Sequence, residues 1–406
     1  MRVVHLSHRY GLEGVGGAVI AASRLHHALL EQGIDSHFLC VYAWPKVGEG
    51  VEELPPCGTL RRRLYQGATG VLRNVWRLAP GGDRRSLNLI PSGMGRAIRE
   101  LKPDVVHIHW IALDSVAFRE LEDVRCPIVV HLHDFWMING FEPYPHDDRR
   151  FIEGFTKENS SWLERNLFER KRRFAERHNV IFVGPSEWSA KVARESIIGR
   201  GHKVFAVPYC VEKRFGMWPT EPQKKFVVLF GADGGRTNPL KGFEDLEKAL
   251  LLLPREVQQN TELRIFGEDA QPYRIGDVEV KFLGRIGSVE KMAEAYRAAD
   301  VYAFPSREET FGQTKVEAMM CGTPVLAFDR TACAEGIVHG QTGWIASGGD
   351  VEAYKNGIIH HYRLFLSEGM HKIRQVVCAQ TFERYSDGNT VMKMLDAYRG
   401  GLRNHA

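Results

Sequence analysis

Two glutamates, Glu309 and Glu317, stand eight residues apart in the run Pro305-Ser306-Arg307-Glu308-Glu309-Thr310-Phe311-Gly312-Gln313-Thr314-Lys315-Val316-Glu317-Ala318-Met319-Met320-Cys321-Gly322-Thr323-Pro324. The residues just before, Val301-Tyr302-Ala303-Phe304, read as a buried parallel strand. Residues 306–312 are then a loop at that strand's carboxyl end, where open α/β sheets bind ligands. A helix is predicted from Gln313 to Met320, closed by Cys321-Gly322 with Pro324 just beyond. One carboxylate faces the loop crevice, and the other, two turns into the helix, faces a neighbouring part of the same ligand. Glutamates at this spacing also arise on solvated helix faces, so the pair gains its meaning from the strand, Phe311-Gly312 and the Cys-Gly-Thr-Pro stop around it.

Three more clusters carry chemistry. Gly231-Ala232-Asp233-Gly234-Gly235-Arg236-Thr237-Asn238-Pro239-Leu240-Lys241-Gly242-Phe243 follows the apolar strand Phe226–Phe230 and precedes a helical pattern over Glu244–Leu253. A glycine-rich loop with Arg236 and Lys241 at a strand's end can set two cations on a diphosphate leaving group, though loop cations are mostly solvated. At the amino end, Gly14-Val15-Gly16-Gly17-Ala18 follows the first strand and opens the helical pattern Val19–Leu30. Glycines there let backbone N–H groups approach a phosphate. A dinucleotide site competes for that reading, but the third glycine of G-x-G-x-x-G is not in place. The last cluster is Pro127-Ile128-Val129-Val130-His131-Leu132-His133-Asp134-Phe135-Trp136, with Asp104-Val105-Val106-His107-Ile108-His109-Trp110 upstream. Histidines at strand ends are more often structural than catalytic.

These motifs closely resemble the retaining glycosyltransferases of family four, which have the GT-B architecture. The resemblance covers nearly the whole chain, with the more specific motifs in the second half. It implies that Glu317 binds the ribose hydroxyls of a nucleotide-sugar donor, and that Glu309, Thr310 and the Phe311-Gly312 backbone hold the transferred sugar. Lys241 and Arg236 would stabilise the departing nucleoside diphosphate, although the family's Gly-Arg-Leu is not reproduced around Arg236. Gly16 and Gly17 look like the loop that closes over the donor diphosphate. Phe282-Leu283-Gly284-Arg285-Ile286 resembles the segment whose backbone reads the nucleobase. The His-Asp-x-Trp of His133, Asp134 and Trp136 is similar to a branch found in bacterial exopolysaccharide and O-antigen pathways, including colanic-acid-type transferases. His133 would then point at the sugar near the reacting centre, with His109, Asp134 and Trp136 on the acceptor side. Phe141–Asp148 lacks that branch's paired cysteines, which removes a metal or disulfide reading there. Ala334-Glu335-Gly336-Ile337-Val338 matches the family's Pro-Glu-Ile-Val only in part, with the Pro replaced and a Gly inserted.

Strand-like runs alternate with helical ones throughout, the α/β signature. The first half carries strands at Val3–Leu6, His37–Val41, Val105–His109, Ile128–His131 and Ile181–Gly184. The second half carries Val204–Val207, Phe226–Gly231, Leu263–Gly267, Val278–Leu283, Val301–Phe304, Pro324–Ala327 and Gly343–Ile345. The expected organisation is an acceptor-side Rossmann-like domain over 1–207, a nucleotide-sugar-binding Rossmann-like domain over 208–388, and a last helix, 389–406, crossing back to the first. As the resemblance implies, these are two facing, doubly wound domains with an interdomain cleft.

With 406 residues and 44% hydrophobic content, the chain is ample for two cored domains. No apolar run approaches the ~18 residues a membrane span needs. The amino end runs directly into a strand rather than a signal peptide, so a cytoplasmic enzyme is expected. Seven cysteines without Cys-x-x-Cys spacing argue against a disulfide framework or structural zinc. A net charge of +4 without a nucleic-acid motif argues against DNA or RNA. The positive charge gathers at Arg61-Arg62-Arg63, Arg73, Arg77, Arg84 and Arg85, and again at Arg170-Lys171-Arg172-Arg173. Interleaved with Leu60, Leu64, Tyr65, Val71, Leu72, Val75 and Trp76, the first run suits an anionic membrane surface or a lipid-pyrophosphate acceptor, and equally a solvated helix face. Both the Arg61–Arg63 and the Arg170–Arg173 regions are candidates for an anionic surface at the inner face of the membrane.

The expectation is therefore a transferase that moves a hexose from a UDP- or GDP-sugar to a lipid-linked bacterial polysaccharide. No Asp-x-Asp is present to bridge a cation to a diphosphate, so neither metal nor cofactor is expected, with Arg236 and Lys241 in that role. Two alternatives stay open: a nucleotide-sugar epimerase or hydrolase of the same architecture, and a non-catalytic, membrane-attached carbohydrate-binding protein.

Overall fold

The computed structural model describes the chain except residues 13–15, 45–47, 57, 78–85, 145–147, 219–222, 233, 368 and 403–406, and of 75–77 only the backbone. The expectations placed on Gly14, Arg84 and Arg85, and on the side chains of Val75, Trp76 and Arg77, lie outside the described residues. The chain divides into two compact units, Met1–Cys210 with Thr390–Ala406, and Val211–Asn389.

In the first unit seven strands form one sheet: β1 (Arg2–Tyr10), β2 (Asp35–Ala43), β3 (Val51–Glu53), β4 (Val105–Ile108), β5 (Ile128–His131), β6 (Val180–Gly184) and β7 (Lys203–Ala206). Their order is β3-β2-β1-β4-β5-β6-β7, every pair parallel. The central strands are near-continuous valine and isoleucine because helices cover both faces of a parallel sheet. On one face Val3, Val105, Val129, Ile181 and Val183 pack against Leu25 and Leu29 of the helix Gly17–Glu31 and against Val391, Met394 and Tyr398 of the last helix, Asp387–Leu402.

Two expectations change here. Val204–Val207, assigned to the second half, is the edge strand β7 of the first sheet, with Ile181 to Gly184 opposite Lys203 to Ala206. β3 was not expected, because two of its three residues are glutamates and only its pairing with Phe38–Cys40 makes it a strand.

The second unit holds β8 (Phe226–Gly231), β9 (Thr261–Phe266), β10 (Tyr273–Ile275), β11 (Val278–Gly284), β12 (Val301–Phe304), β13 (Val325–Phe328) and β14 (Gly343–Ala346). Their order is β10-β11-β9-β8-β12-β13-β14, parallel except for the short β10, which runs antiparallel to β11. β9 and β11 lie to one side of β8, and β13 and β14 beyond β12, so the winding reverses between β8 and β12. In the first sheet it reverses between β1 and β4. Loops leaving two such strands diverge, and a crevice opens at their carboxyl ends.

Candidate active site

The loops after β8 and β12 meet at the second reversal point. Gly242 has φ +67°, and a Cβ there would overlap Pro305 O, so only glycine lets the two backbones touch. One turn away, the Arg307 N–H donates to Leu240 O at 2.8 Å. This contact carries Lys241 to the second loop, where its Nζ lies 2.6 Å from Glu309 Oε1. The Glu309 N–H donates to Thr331 Oγ1 at 3.0 Å. Thr331 has φ +51°, a rare conformation for a β-branched residue and one that costs about 1–3 kcal/mol. The loop geometry around Glu309 is thus held at the expense of local strain.

Gly312, at φ +80°, turns the chain into the helix Gln313–Met320, and a Cβ would lie 2.9 Å from Phe304 Cζ. No acid occupies the first turn, so the amino-terminal N–H groups of this helix suit an anion. Glu317 is buried in its second turn and accepts a hydrogen bond from Tyr296 Oη at 3.3 Å. Burial, and after it the Glu317 charge, pushes the Tyr296 hydroxyl well above the usual phenol range, which keeps it a donor. Phe311 is also buried, edge-on to Tyr385 with ring centroids 5.7 Å apart, and Thr310 is buried beside it.

Arg236 departs from the free loop cation expected. Its guanidinium pairs with Glu268, and its Cζ sits 5.2 Å from the Tyr273 ring centre and 5.0 Å from that of Phe282. Burial works against its charge, but Glu268 and Tyr273 more than offset this and hold its pKa above the ordinary guanidinium value. Among the described residues, then, Lys241 meets Glu309 while Arg236 is anchored by Glu268. Arg285 is exposed and Ile286 half-buried in the loop after β11.

Lys315 escaped the sequence reading. It is fully enclosed, and Nζ donates to Ala332 O at 2.8 Å and Glu335 O at 2.6 Å, tying the segment after β13 to the helix that bears Glu317. Burial lowers its pKa to about 8. The glycine inserted at 336 has φ +89° with the Tyr385 hydroxyl against it, which explains the departure from the expected motif.

In the first unit Gly16 and Gly17 are exposed at the start of their helix, and a Cβ on Gly16 would meet nothing within 4 Å. His109 and His133 belong to a buried network. Glu49 O can only accept, so His26 Nε2–H donates to it (2.9 Å) and His26 Nδ1 accepts from Ser36 Oγ–H (2.8 Å). Ser36 Oγ then accepts from His5 Nε2–H (3.1 Å), and His5 Nδ1 from His109 Nε2–H (2.9 Å). His109 Nδ1 accepts from His133 Nε2–H (2.8 Å), and His133 Nδ1 from the Tyr209 hydroxyl (2.7 Å). One carbonyl fixes every tautomer, provided each ring is neutral. Burial ensures that, holding His5, His109 and His133 well below 6.5 and His26 at about 4. His107 Nδ1 pairs with the Tyr398 hydroxyl at 2.7 Å. His5, His107 and His109, or His109, His131 and His133, bring three ring nitrogens within 4.8 Å of one another, and could hold a metal.

Asp134 accepts from Trp110 Nε1 at 3.2 Å and from Trp136 N at 3.0 Å. Trp136, expected at the acceptor, is enclosed instead: Lys171 Nζ lies 3.8 Å from its ring centre and donates to Trp136 O, Asn139 O and Gly140 O. Its bulk shapes the loop rather than a surface. The second basic run is corrected likewise, since Lys171 is buried, Arg170 donates to Leu87 O at 2.8 Å, and Arg172 pairs with Glu169 and Glu176. In the first run Arg62 is buried and donates to Val41 O and Pro55 O, leaving Arg61 and Arg63 exposed.

Two doubly wound sheets, with a last helix that packs on the first of them, make up the GT-B fold. Residues 214–364 match the family "Glycosyl transferases group 1", and residues 16–210 match the "Glycosyl transferase 4-like domain". The chain belongs to the group 1, GT4-like glycosyltransferases. Sucrose-phosphate synthase from Thermosynechococcus elongatus has a similar fold, with a TM-score of 0.67 at 15% identity over 98% of this chain and 99% of that one. HepE of Anabaena, solved with UDP and glucose, gives 0.63 at 17% identity over 98% and 100%. A D-inositol 3-phosphate glycosyltransferase of Streptomyces avermitilis is 32% identical over 149 residues, 33% of this chain and 31% of that protein. The match thus spans about a third of that curated relative's length.

Two outcomes follow from this geometry. Gly242→Ala should destabilise the second unit by about 1–3 kcal/mol, whereas Gly16→Ala should stay within about 0.5 kcal/mol of the parent, both read by urea unfolding. The histidine network should make stability fall with pH. Folded-state pKa values of about 4 for His26 and about 3 for His131 lie below the unfolded value near 6.5. The unfolded chain therefore takes up protons that the folded chain refuses. Stability is full above pH 6.5 and is lost as pH falls toward 4, at about 1.4 kcal/mol per pH unit for each such histidine. In His131→Leu the slope between pH 6 and 4.5 should be shallower by about one proton, and an unchanged slope would exclude His131 from that uptake.

Proposed function

We propose that the protein is a metal-independent retaining glycosyltransferase that moves a hexose from a nucleoside diphosphate sugar to a lipid-linked saccharide in bacterial polysaccharide synthesis. The observation that carries this reading is the Lys241–Glu309 pair at the β8/β12 reversal point, beside the helix that buries Glu317. Glu317 would take the ribose hydroxyls. The transferred sugar would lie against Glu309, Thr310 and the backbone of Phe311 and Gly312. A diphosphate would draw Lys241 from Glu309 and free that carboxylate for sugar hydroxyls, so one exchange couples recognition of both halves of the donor. Arg236 would add fixed positive charge, and the backbone at Arg285 and Ile286 would read the base. Charge on the departing diphosphate is then met by preorganised cations. UDP and glucose in HepE, a protein of similar fold, support a UDP-hexose as the first donor to try.

On the acceptor side, His133 is the group we place nearest the reacting centre, with His109 and Asp134 holding it and its loop. Gly16 and Gly17, exposed at the start of their helix, would meet a phosphate with their backbone. Attachment to an anionic membrane is supported by Leu60, Leu64 and Val71, which stand exposed on the helix Leu60–Arg77 beside Arg61 and Arg63. No helix among the described residues is long and apolar enough to cross a membrane.

With EDTA present and no acceptor, the protein should bind one UDP- or GDP-sugar saturably in calorimetry and release nucleoside diphosphate slowly. Glu317→Ala should weaken that binding by at least tenfold, and Lys241→Met should slow release more than it weakens binding. Full activity in both variants would remove the site. A free epimer of the sugar formed without acceptor would instead identify an epimerase. Co-sedimentation with vesicles containing anionic lipid should fall several-fold in a Leu60→Glu, Leu64→Glu double variant, and equal sedimentation would confine the exposed stripe to another role.

A further inference from the structure

The histidine-bearing face of the first sheet contains more than the hydrogen-bonded chain from Glu49 to Tyr209. His131, the last residue of β5, is 4% exposed, yet neither its Nδ1 nor its Nε2 has a hydrogen-bond partner among the described residues. A neutral imidazole always carries one N–H, so a donor and an acceptor are both buried unmet, a cost of about 1–3 kcal/mol for each. The ring is stacked against His133, with centroids 4.5 Å apart, and parallel to His107 at 5.4 Å. It therefore sits against the His109–His133 hydrogen bond without joining it.

We propose that His109, His131 and His133 form a binding site for a transition-metal dication of the zinc class. One nitrogen from each of the three already lies within 4.8 Å of the others. Three imidazoles completed by one exchangeable ligand are a donor set that suits Zn²⁺ or Co²⁺. For His109 and His133 the remaining nitrogens already meet outer partners, His5 and Tyr209, of the kind that orient metal-bound histidines. His109 would coordinate through Nδ1 while its Nε2–H still donates to His5. His133 would coordinate through Nε2, with its proton moved to Nδ1 and donated to the Tyr209 oxygen. No net proton is released, because the proton that now bridges His133 to His109 is relocated on the same ring. The 2.8 Å between those two nitrogens would widen to about 3.3 Å, the separation of two ligands about 2.0 Å from a tetrahedral ion. His131 would finally use one of its two unmet nitrogens.

Such an ion would have no part in holding the donor diphosphate, whose proposed cations, Lys241 and Arg236, lie in the second unit. It would instead immobilise His133, and its test is independent of donor binding. The full chain, stripped with a chelator and titrated with Co²⁺, should take up one equivalent and develop the visible d–d bands of a four- or five-coordinate ion, displaced by Zn²⁺. Zn²⁺ should also raise the Tm. His131→Leu should abolish the bands and the Tm shift with the circular dichroism unchanged. Tyr209→Phe, which keeps the ring and removes only the hydroxyl, should weaken Co²⁺ binding about tenfold and decides the matter if His131→Leu does not fold. No bands at excess Co²⁺, bands that persist in His131→Leu, or unaltered affinity in Tyr209→Phe would each overturn the site, the last two placing any bound ion elsewhere on the chain.

Discussion

The contact of Gly242 with Pro305 O is the constraint on which the ligand edge of the second unit depends. A parallel sheet that reverses its winding separates the loops leaving its two central strands. Charges on those loops would stay apart unless something drew the loops together. Here one residue without a Cβ, in a left-handed conformation, lets backbone meet backbone, and the Arg307–Leu240 hydrogen bond holds the result. Everything chemical at that edge follows from it: the reach of Lys241 to Glu309, the seating of Glu309 on Thr331, and the start of the helix that buries Glu317. Lys315 completes the frame from behind, because its buried Nζ donates to two backbone carbonyls, those of Ala332 and Glu335.

The first unit solves a different problem. Its sheet places His5, His107, His109, His131 and His133 on one face, where helices exclude water. Burial of that many titratable rings is tolerable only when they are neutral and paired. The carbonyl of Glu49 imposes direction on the chain, and each ring passes the same orientation to the next until the Tyr209 hydroxyl ends it. The tyrosine is held by the turn after β7, so the edge strand of the first sheet also delivers the group that closes the network. His131, with neither ring nitrogen paired, stands outside this arrangement, and the Nε2 of His107 is likewise unmet among the described residues.

Much of this was legible in the residues. Valine-rich runs with glycine loops behind them placed most strands within a residue or two, and Gln313–Met320 coincides with its predicted bounds because Gly312 and Gly322 both need positive φ. His-x-His at 107–109 and 131–133 says that two rings share a strand face. What it does not say is that β4 lies between β1 and β5, and that adjacency alone makes a network of separate pairs. Lys315 was illegible for a related reason: a lysine inside a helix reads as solvated, and only the loop folded over it shows otherwise. Glu268 and Thr331 carry no local signal at all, since each acquires its role from a loop distant in sequence. Lys171 was read as part of a basic surface for the same reason that Lys315 was overlooked.

The two ion pairs at the second unit's edge look alike but behave differently. Net contributions of partly exposed pairs are small, on the order of 0–1 kcal/mol, because attraction is offset by desolvation and by the ordering of long side chains. A pair of such low net value stabilises the fold little, yet it keeps a cation charged and in place. Lys241 reaches Glu309 through a flexible stem, so an arriving anion with hydroxyl groups beside it could replace each partner with its own. Arg236 is clasped by Glu268 and flanked by Tyr273, Phe282 and Phe243, whose ring faces also favour the cation. Moving it would forfeit several contacts at once. On the reading proposed above, Lys241 would be the exchangeable charge and Arg236 a field that stays where it is. An edge built this way has one pair that can open toward a ligand and one that fixes the position of the loop while it does.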